Sequence, residues 1–145
     1  MGGRLEPDYS NDEVEIAAIR AAIDHGITHI DTAEIYAAGH CEELVGEAIK
    51  GYDRTKLIIA TKVAGDNETY DGILKSVESS LKRLNTDYID LYLLHRFPGP
   101  GMPIDEAMRA MDRLVDEKVV KNIGVCNFTV NRFKAAQKVT KNKLV

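Results

Sequence analysis

Four short runs of apolar residues, rich in Ile, Leu and Val, alternate along the chain with segments of helical pattern. The runs are Ile27–Asp31, Lys56–Thr61, Tyr88–His95 and Val119–Val125. Within each run the hydrophobic positions follow one another almost without interruption, instead of alternating with polar ones. Such runs are typical of parallel strands that are buried on both faces. We therefore predict four parallel strands.

Helical periodicity marks the segments between these runs. From Cys41 to Ile49 the apolar side chains recur on one helical face, and Gly51 follows as a stop. Similar apolar stripes run through residues 73–84 and 107–115, and a weaker helix spans Val130–Val139. These patterns predict a helix after each strand.

A further helix is predicted ahead of the first strand. Ser10 or Asn11 is expected to cap its N-terminus, where a side-chain oxygen can accept a free backbone N–H. Asp12 and Glu13 follow in its first turn, where the helix dipole favours negative charge. Gly26 is expected to end this helix.

The polar residues at the ends of the strands recur at a steady interval. Asp31 to Thr61 is 30 residues, Thr61 to His95 is 34, and His95 to Cys126 is 31. A strand, a loop, a helix and a second loop fill such an interval, which predicts a βα array. A (β/α)8 TIM barrel takes about 250 residues, so this chain holds about half of one. Spacing alone leaves open a small doubly wound sheet of the flavodoxin type, which needs only four or five strands.

Composition excludes several classes of protein. Of the 145 residues, 44% are hydrophobic and 29% are charged, which is typical of a globular domain. Lys and Arg total 19 against 23 Asp and Glu, a net charge of −4 that argues against nucleic-acid binding. The two cysteines, Cys41 and Cys126, lie far apart and outside any CxxC motif, which argues against a disulfide scaffold and a zinc site. We expect a protein of the reducing cytoplasm, with no membrane span and no bound metal.

A reactive or polar side chain lies at the carboxyl end of each predicted strand. These residues are Asp31, Lys62, His95 and Asn127, and Tyr36 lies in the loop that follows Asp31. Each one alone has a structural explanation, such as a turn cap for Asp31 or a solvated strand end for Lys62. Their repetition at one edge of the sheet favours a functional site, because ligands of α/β folds bind there.

The residue types suit proton transfer to a carbonyl group. A lysine beside an aspartate remains charged, and an ammonium ion close to a phenol favours the phenolate. A tyrosine in that position is a usable proton donor near neutral pH, which carbonyl reduction requires. A neutral histidine nearby can donate a hydrogen bond to the carbonyl oxygen and orient it.

Segments throughout the chain resemble the aldo-keto reductase family, in the order and at the spacing of that family. They are Gly26–Tyr36 (GITHIDTAEIY), Glu42–Ala48 (EELVGEA), Ala60–Val63 (ATKV), Ser80–Leu84 (SLKRL) running into Tyr88–His95 (YIDLYLLH), and Ile123–Phe128 (IGVCNF). The resemblance implies a (β/α)8 barrel enzyme that uses NADPH, or less often NADH, to reduce aldehydes and ketones. The missing GxGxxG loop fits, because this family does not bind its dinucleotide on a Rossmann unit.

The resemblance also implies roles for individual residues. The catalytic tetrad of the family falls on Asp31, Tyr36, Lys62 and His95. Tyr36 would be the general acid, Lys62 would activate it while paired with Asp31, and His95 would orient the substrate carbonyl. Asp31, Cys126 and Asn127 would contact the cofactor: Asn127 matches the asparagine that holds the nicotinamide carboxamide, and Cys126 stands where a serine is usual.

On this resemblance, residues 1–145 are a single aldo-keto reductase barrel domain, incomplete at both ends, that covers approximately strands 2 to 5. Residues 143–145 resemble the entry to the sixth strand. Most of the family's cofactor contacts would come later, which leaves open whether these residues alone are active. Exposed barrel edges favour pairing with a second copy or with a C-terminal half.

The predicted function is therefore NAD(P)H-dependent reduction of a small-molecule aldehyde or ketone to an alcohol. One alternative is a non-catalytic aldo-keto reductase-like protein with a binding or regulatory role. Another is an unrelated doubly wound ligand binder, which should carry a glycine-rich loop after its first strand. A helix N-terminus close to Cys41 could lower the pKa of its thiol, but inert replacement is favoured over a redox role.

Overall fold

The computed structural model describes all 145 residues and contains four β-strands and five α-helices. The strands are β1 (His29–Asp31), β2 (Ile58–Val63), β3 (Ile89–Leu94) and β4 (Val120–Val125). The helices are α1 (Asp12–Asp24), α2 (His40–Ala48), α3 (Tyr70–Leu84), α4 (Ile104–Asp116) and α5 (Val130–Val139). The predicted βα array is confirmed. No helix combines the length and the apolar character that a membrane crossing requires.

The four strands form one parallel sheet in the order β1-β2-β3-β4. Asp31 pairs with Ala60, Lys62 with Leu93, and Leu93 in turn with Gly124. Each strand thus lies beside the next one along the chain, whereas a doubly wound sheet reverses its strand order. Right-handed crossovers between sequential strands place the connecting helices on one face. The prediction of a partial barrel is therefore confirmed, and the doubly wound alternative is wrong.

The core lies between the sheet and its helices. It is a cluster of 20 buried apolar residues, to which the strands contribute alternate positions such as Ile59, Tyr92 and Ile123. Helix α4 adds the fully buried Met108 and Met111 from one face. Periods of 2 and 3.6 residues direct these side chains into the same layer.

The opposite face of the sheet is covered only in part. Ala60 and Lys62 are buried on it, whereas Ile58 and Asn122 are exposed and Leu93 is half-buried. Continuous apolar runs predicted strands buried on both faces, which holds for most of β2 and fails at the exposed positions of this second face.

Two local predictions are also corrected. Asn11 makes no side-chain cap for α1, because Asp8 accepts the backbone N–H of Ser10 and caps a short 3-10 turn that precedes the helix. Strand β2 begins at Ile58 instead of Lys56, since residues 54–56 form another 3-10 turn. Asp53 caps that turn by accepting the backbone N–H of Thr55.

A buried ion pair joins helices α2 and α3 behind the sheet. Glu42 is fully buried and accepts hydrogen bonds from Arg83 Nε at 2.6 Å and from Thr61 Oγ1 at 2.5 Å. Gly46 permits this close approach, because a Cβ atom there would lie 2.4 Å from the backbone oxygen of Arg83. The pair fixes α2, and the loop before it, against β2 and α3.

Candidate active site

Asp31 and Lys62 form an ion pair at the carboxyl edge of the sheet. Lys62 Nζ donates to Asp31 Oδ2 at 2.8 Å and to the backbone oxygen of Thr32 at 2.8 Å. The side chain of Lys62 is only 5% exposed, whereas that of Asp31 is 54% exposed. A buried ammonium group requires such partners, because leaving the charge without them is costly.

Tyr36 lies next to this pair at the start of a tight turn. Its backbone N–H donates to the Ala33 oxygen, and Ala37 and Ala38 both adopt left-handed backbone with φ of 47° and 52°. Residues other than glycine rarely adopt this conformation, and such strain gathers at functional sites. The turn brings Lys62 Nζ to 5.1 Å from the centroid of the Tyr36 ring, which is 37% exposed.

His95 follows β3 and completes the cluster. Its ring packs edge-on against Tyr36, with the two ring centroids 5.6 Å apart and the planes at 79°. Burial lowers the pKa of His95, and the positive charge of Lys62 acts in the same direction. The imidazole is therefore neutral at pH 7. Its Nδ1 atom is buried without a hydrogen-bond partner.

Asn127 follows β4 and adopts left-handed backbone with φ of 57°. Its Nδ2 donates to the backbone oxygen of His95 at 2.8 Å and to Cys126 Sγ at 3.3 Å. These bonds fix the amide group while its oxygen accepts no hydrogen bond from the protein. Cys126 is anchored in turn, because its backbone N–H donates to the Leu94 oxygen.

The structure thus brings Asp31, Tyr36, Lys62 and His95 together and places Asn127 beside them through the His95 backbone. A phenol next to a buried ammonium group and a neutral imidazole can deliver a proton to an oxygen atom that both rings reach. No three His, Cys, Asp or Glu side chains are grouped as a metal site would require.

Two acidic residues of this region were missed by the sequence analysis. Glu34 Oε1 accepts hydrogen bonds from the backbone N–H of Ala64 at 2.8 Å and from Asn67 Nδ2 at 3.2 Å. Glu68 is buried and accepts the backbone N–H of Arg96 at 3.1 Å. Only their position in the strand-to-helix loops could have indicated them, since burial of a loop carboxylate has no pattern in the sequence.

The structure does not bear out a lowered pKa at Cys41 and agrees with the favoured inert replacement. Its thiol lies in the first turn of α2 and donates to the backbone oxygen of Met1 at 2.8 Å. Burial raises the pKa of this thiol, and the carboxylates of Glu15 and Glu42 add to the rise. These effects outweigh the charge of the N-terminal ammonium group, which acts in the opposite direction, so Cys41 is not an activated thiolate.

Comparison with known proteins gives the same family that the sequence motifs resemble. Residues 2–145 match the model of the aldo/keto reductase family. The methylglyoxal reductase YeaE of Escherichia coli (strain K12) is 43% identical over 120 residues, which are 83% of this chain and 41% of YeaE. The chain thus spans less than half the length of the curated relatives it matches first.

Solved structures agree with the fold. The thermostable aldo-keto reductase Tm1743, solved with the inhibitor epalrestat, superposes with a TM-score of 0.96 at 44% identity, over 99% of this chain and 52% of Tm1743. An aldo-keto reductase from Klebsiella pneumoniae in complex with NADPH gives a TM-score of 0.83 at 41% identity, over 92% of this chain and 45% of that one. The chain belongs to the aldo-keto reductase family.

Proposed function

We propose that the protein reduces a small aldehyde or ketone to an alcohol by hydride transfer from NADPH, with Tyr36 as the general acid. The observation that carries this proposal is the buried Lys62 ammonium group, which is 2.8 Å from Asp31 and 5.1 Å from the Tyr36 ring. Methylglyoxal is a suitable test substrate, because the relative YeaE is a methylglyoxal reductase.

Each member of the cluster has a distinct role in this reaction. Tyr36 donates its phenolic proton to the carbonyl oxygen as the carbonyl carbon becomes an alcohol carbon. The Lys62 charge stabilises the phenolate that is left, and Asp31 holds Lys62 in place. His95, neutral at pH 7, donates a hydrogen bond to the same carbonyl oxygen and orients it. Solvent returns the proton, since Tyr36 is partly exposed.

Residues at the edge of the sheet fit the nicotinamide end of the cofactor. Asn127 is the main candidate, because its amide nitrogen is held by His95 and Cys126 while its oxygen is free to accept a carboxamide N–H. We assign Cys126 and Asp31 to the same end. NADPH, when bound, supplies the hydride that the carbonyl carbon receives. NADPH and NADH differ only in the phosphate on the adenosine, and none of these residues is assigned to that phosphate. NADH is therefore the alternative cofactor.

We also propose that the four strands are part of a closed barrel that a second set of strands completes. The edge of β4 supports this, because Val145 adds to it in parallel through bonds with Ile123 and Val125 at 3.3 and 3.4 Å. For the chain on its own we assign the second set to another copy, the alternative being a C-terminal half. Light scattering should then detect a dimer, and a well-folded monodisperse monomer would contradict this assembly.

Both cysteines are free, which supports a cytoplasmic location.

The reaction is tested with NADPH and methylglyoxal, by following absorbance at 340 nm together with the alcohol product. We expect one alcohol for each NADPH consumed. Lys62→Met keeps the length of the side chain but removes its charge, and should abolish turnover. The matched control is Lys75→Met, since Lys75 is exposed on α3. NADPH binding without any alcohol in the unmodified chain would favour the non-catalytic alternative, a binding or regulatory protein.

A further inference from the structure

Carboxylates tie the loops of the site to one another. Glu34 lies two residues before Tyr36 and accepts the backbone N–H of Ala64, in the loop after β2. Glu68 lies later in that loop and accepts the backbone N–H of Arg96, which directly follows His95. The loops that carry Tyr36, Lys62 and His95 are therefore joined in series by side-chain bonds.

Of the two carboxylates, Glu68 is the one whose burial costs the fold more free energy. It is only 2% exposed, and burial raises its pKa, with the backbone N–H and the charge of Arg96 acting in the opposite direction. A buried carboxylate that is held by one backbone amide stabilises a fold less than an apolar side chain of similar size. The contact with Arg96 is the one hydrogen bond that this carboxyl group makes.

The ring of His95 lacks an orienting partner of its own. A working histidine is ordinarily held by a hydrogen bond to its second ring nitrogen, yet Nδ1 of His95 is buried without a partner. Its orientation therefore depends on packing against Tyr36 and on where the backbone places it. That backbone is held at three consecutive polar groups: His95 N donates to Val63, His95 O accepts from Asn127, and Arg96 N donates to Glu68.

We propose that Glu68 is a positioning residue for His95: by holding the Arg96 amide, its buried carboxylate fixes the turn that aims the imidazole at the carbonyl oxygen. Its effect on turnover rests on the proposed function, whereas its effect on the His95 ring does not. Misplacement of a catalytic group by about 1 Å can cost about 100-fold in rate, so a backbone anchor one residue away is enough to matter.

The test compares Glu68→Ala, which removes the acceptor, with Glu68→Gln, which keeps an oxygen at the same reach. Glu78→Ala is the control, because Glu78 is exposed on α3 and makes no ion pair within 4 Å. NMR of the free chain reports amide exchange at Arg96 and the pH titration of the His95 ring. In Glu68→Ala we expect the backbone amide hydrogen of Arg96 to exchange with solvent about 10-fold faster or more, because it loses one charge-assisted hydrogen bond. We also expect the His95 ring signals and the pH titration of the ring to change, because the imidazole no longer keeps its place between Tyr36 and Lys62.

Glu68→Gln should restore the His95 titration, and Glu78→Ala should leave it unchanged. In turnover, Glu68→Ala should lower kcat by about 10- to 100-fold with little change in KM, because orientation rather than binding is lost. If Glu68→Ala does not fold, Glu68→Asp replaces it, since its carboxylate is one methylene too short to reach Arg96.

A His95 titration that is unmoved in a variant with faster Arg96 exchange would overturn the proposal, because Glu68 would then act on stability alone. The same holds if Glu68→Gln behaves like Glu68→Ala. Should the unmodified chain consume no NADPH while the His95 signals still respond to Glu68, the proposed function fails and the positioning role stands.

Discussion

The pair formed by Glu42 and Arg83 gives the strongest prediction about stability. Glu42 is fully buried and the side chain of Arg83 is 24% exposed, with Oε2 and Nε 2.6 Å apart. Arg83→Met keeps most of the side-chain volume but removes the guanidinium group. The carboxylate is then left in the interior with Thr61 as its remaining partner.

The expected cost follows from that uncompensated charge. Removing one partner of a buried ion pair typically costs 3–5 kcal/mol, and the partial exposure of Arg83 points to about 3 kcal/mol here. For a chain of this size that loss corresponds to a fall in Tm of about 6–12 °C. Adding Glu42→Gln to Arg83→Met removes the stranded charge and leaves an acceptor for Thr61. The double variant should therefore recover about 1.5 kcal/mol or more of the loss.

Urea unfolding followed by circular dichroism measures these free energies. Arg109→Met is the control, because Arg109 is exposed and lies 3.8 Å from Glu106 on the same helix, where an ion pair contributes little. Its free energy of unfolding should change by less than about 0.5 kcal/mol. The reasoning is refuted if Arg83→Met costs no more than Arg109→Met, or if the double variant is as unstable as the sum of the two single changes.

Two further predictions concern buried polar groups. Both ring nitrogens of His40 contact carboxylates, Asp12 at 2.8 Å and Glu43 at 2.9 Å; burial opposes the charge of His40, but these partners outweigh it and raise its pKa. The contribution of protonated His40 to the stability of the fold is therefore complete below about pH 6.5 and is lost as the pH rises through its raised pKa. The difference in free energy of unfolding between the unmodified chain and His40→Gln should shrink from pH 6 to pH 9, and a constant difference would contradict this. Tyr92 is fully buried and its hydroxyl has no partner, so Tyr92→Phe should raise the free energy of unfolding by about 1 kcal/mol, and a thermal melt that shows a loss of stability would count against this.

The order of elements and the location of the site could be predicted from the sequence because both depend on periodicity. Continuous apolar runs mark parallel strands, and the carboxyl ends of those strands meet at one edge, which is why Asp31, Lys62 and His95 could be placed near each other. The approximate bounds predicted for α5 agree with the observed helix, Val130–Val139. Choosing between a barrel and a doubly wound sheet required the observed strand order, since both arrangements share the same local pattern.

Features that depend on tertiary burial could not be predicted in this way. Glu68 and Glu42 are loop and helix carboxylates with no hydrophobic period, yet the fold buries both of them. The raised pKa of the Cys41 thiol has the same origin, because burial and two nearby carboxylates outweigh the charge of the N-terminal ammonium group. The left-handed backbone of the turn after Tyr36 begins on Ala37 and Ala38, residue types that do not mark such a conformation, and only Gly39 at its end is a residue that does.

The most direct test of the central claim is the rate of NADPH consumption in the Tyr36→Phe variant, compared with the unmodified chain. The phenylalanine keeps the ring that packs against His95 and Lys62 and removes only the proton that the reaction needs. General acid catalysis is worth about 100- to 10,000-fold, so we expect a rate lower by that factor while NADPH binding and Tm are retained. Tyr70→Phe, at a half-buried tyrosine on α3, should keep the full rate. Turnover that survives in Tyr36→Phe would contradict the account, because the carbonyl oxygen would then receive its proton from another group.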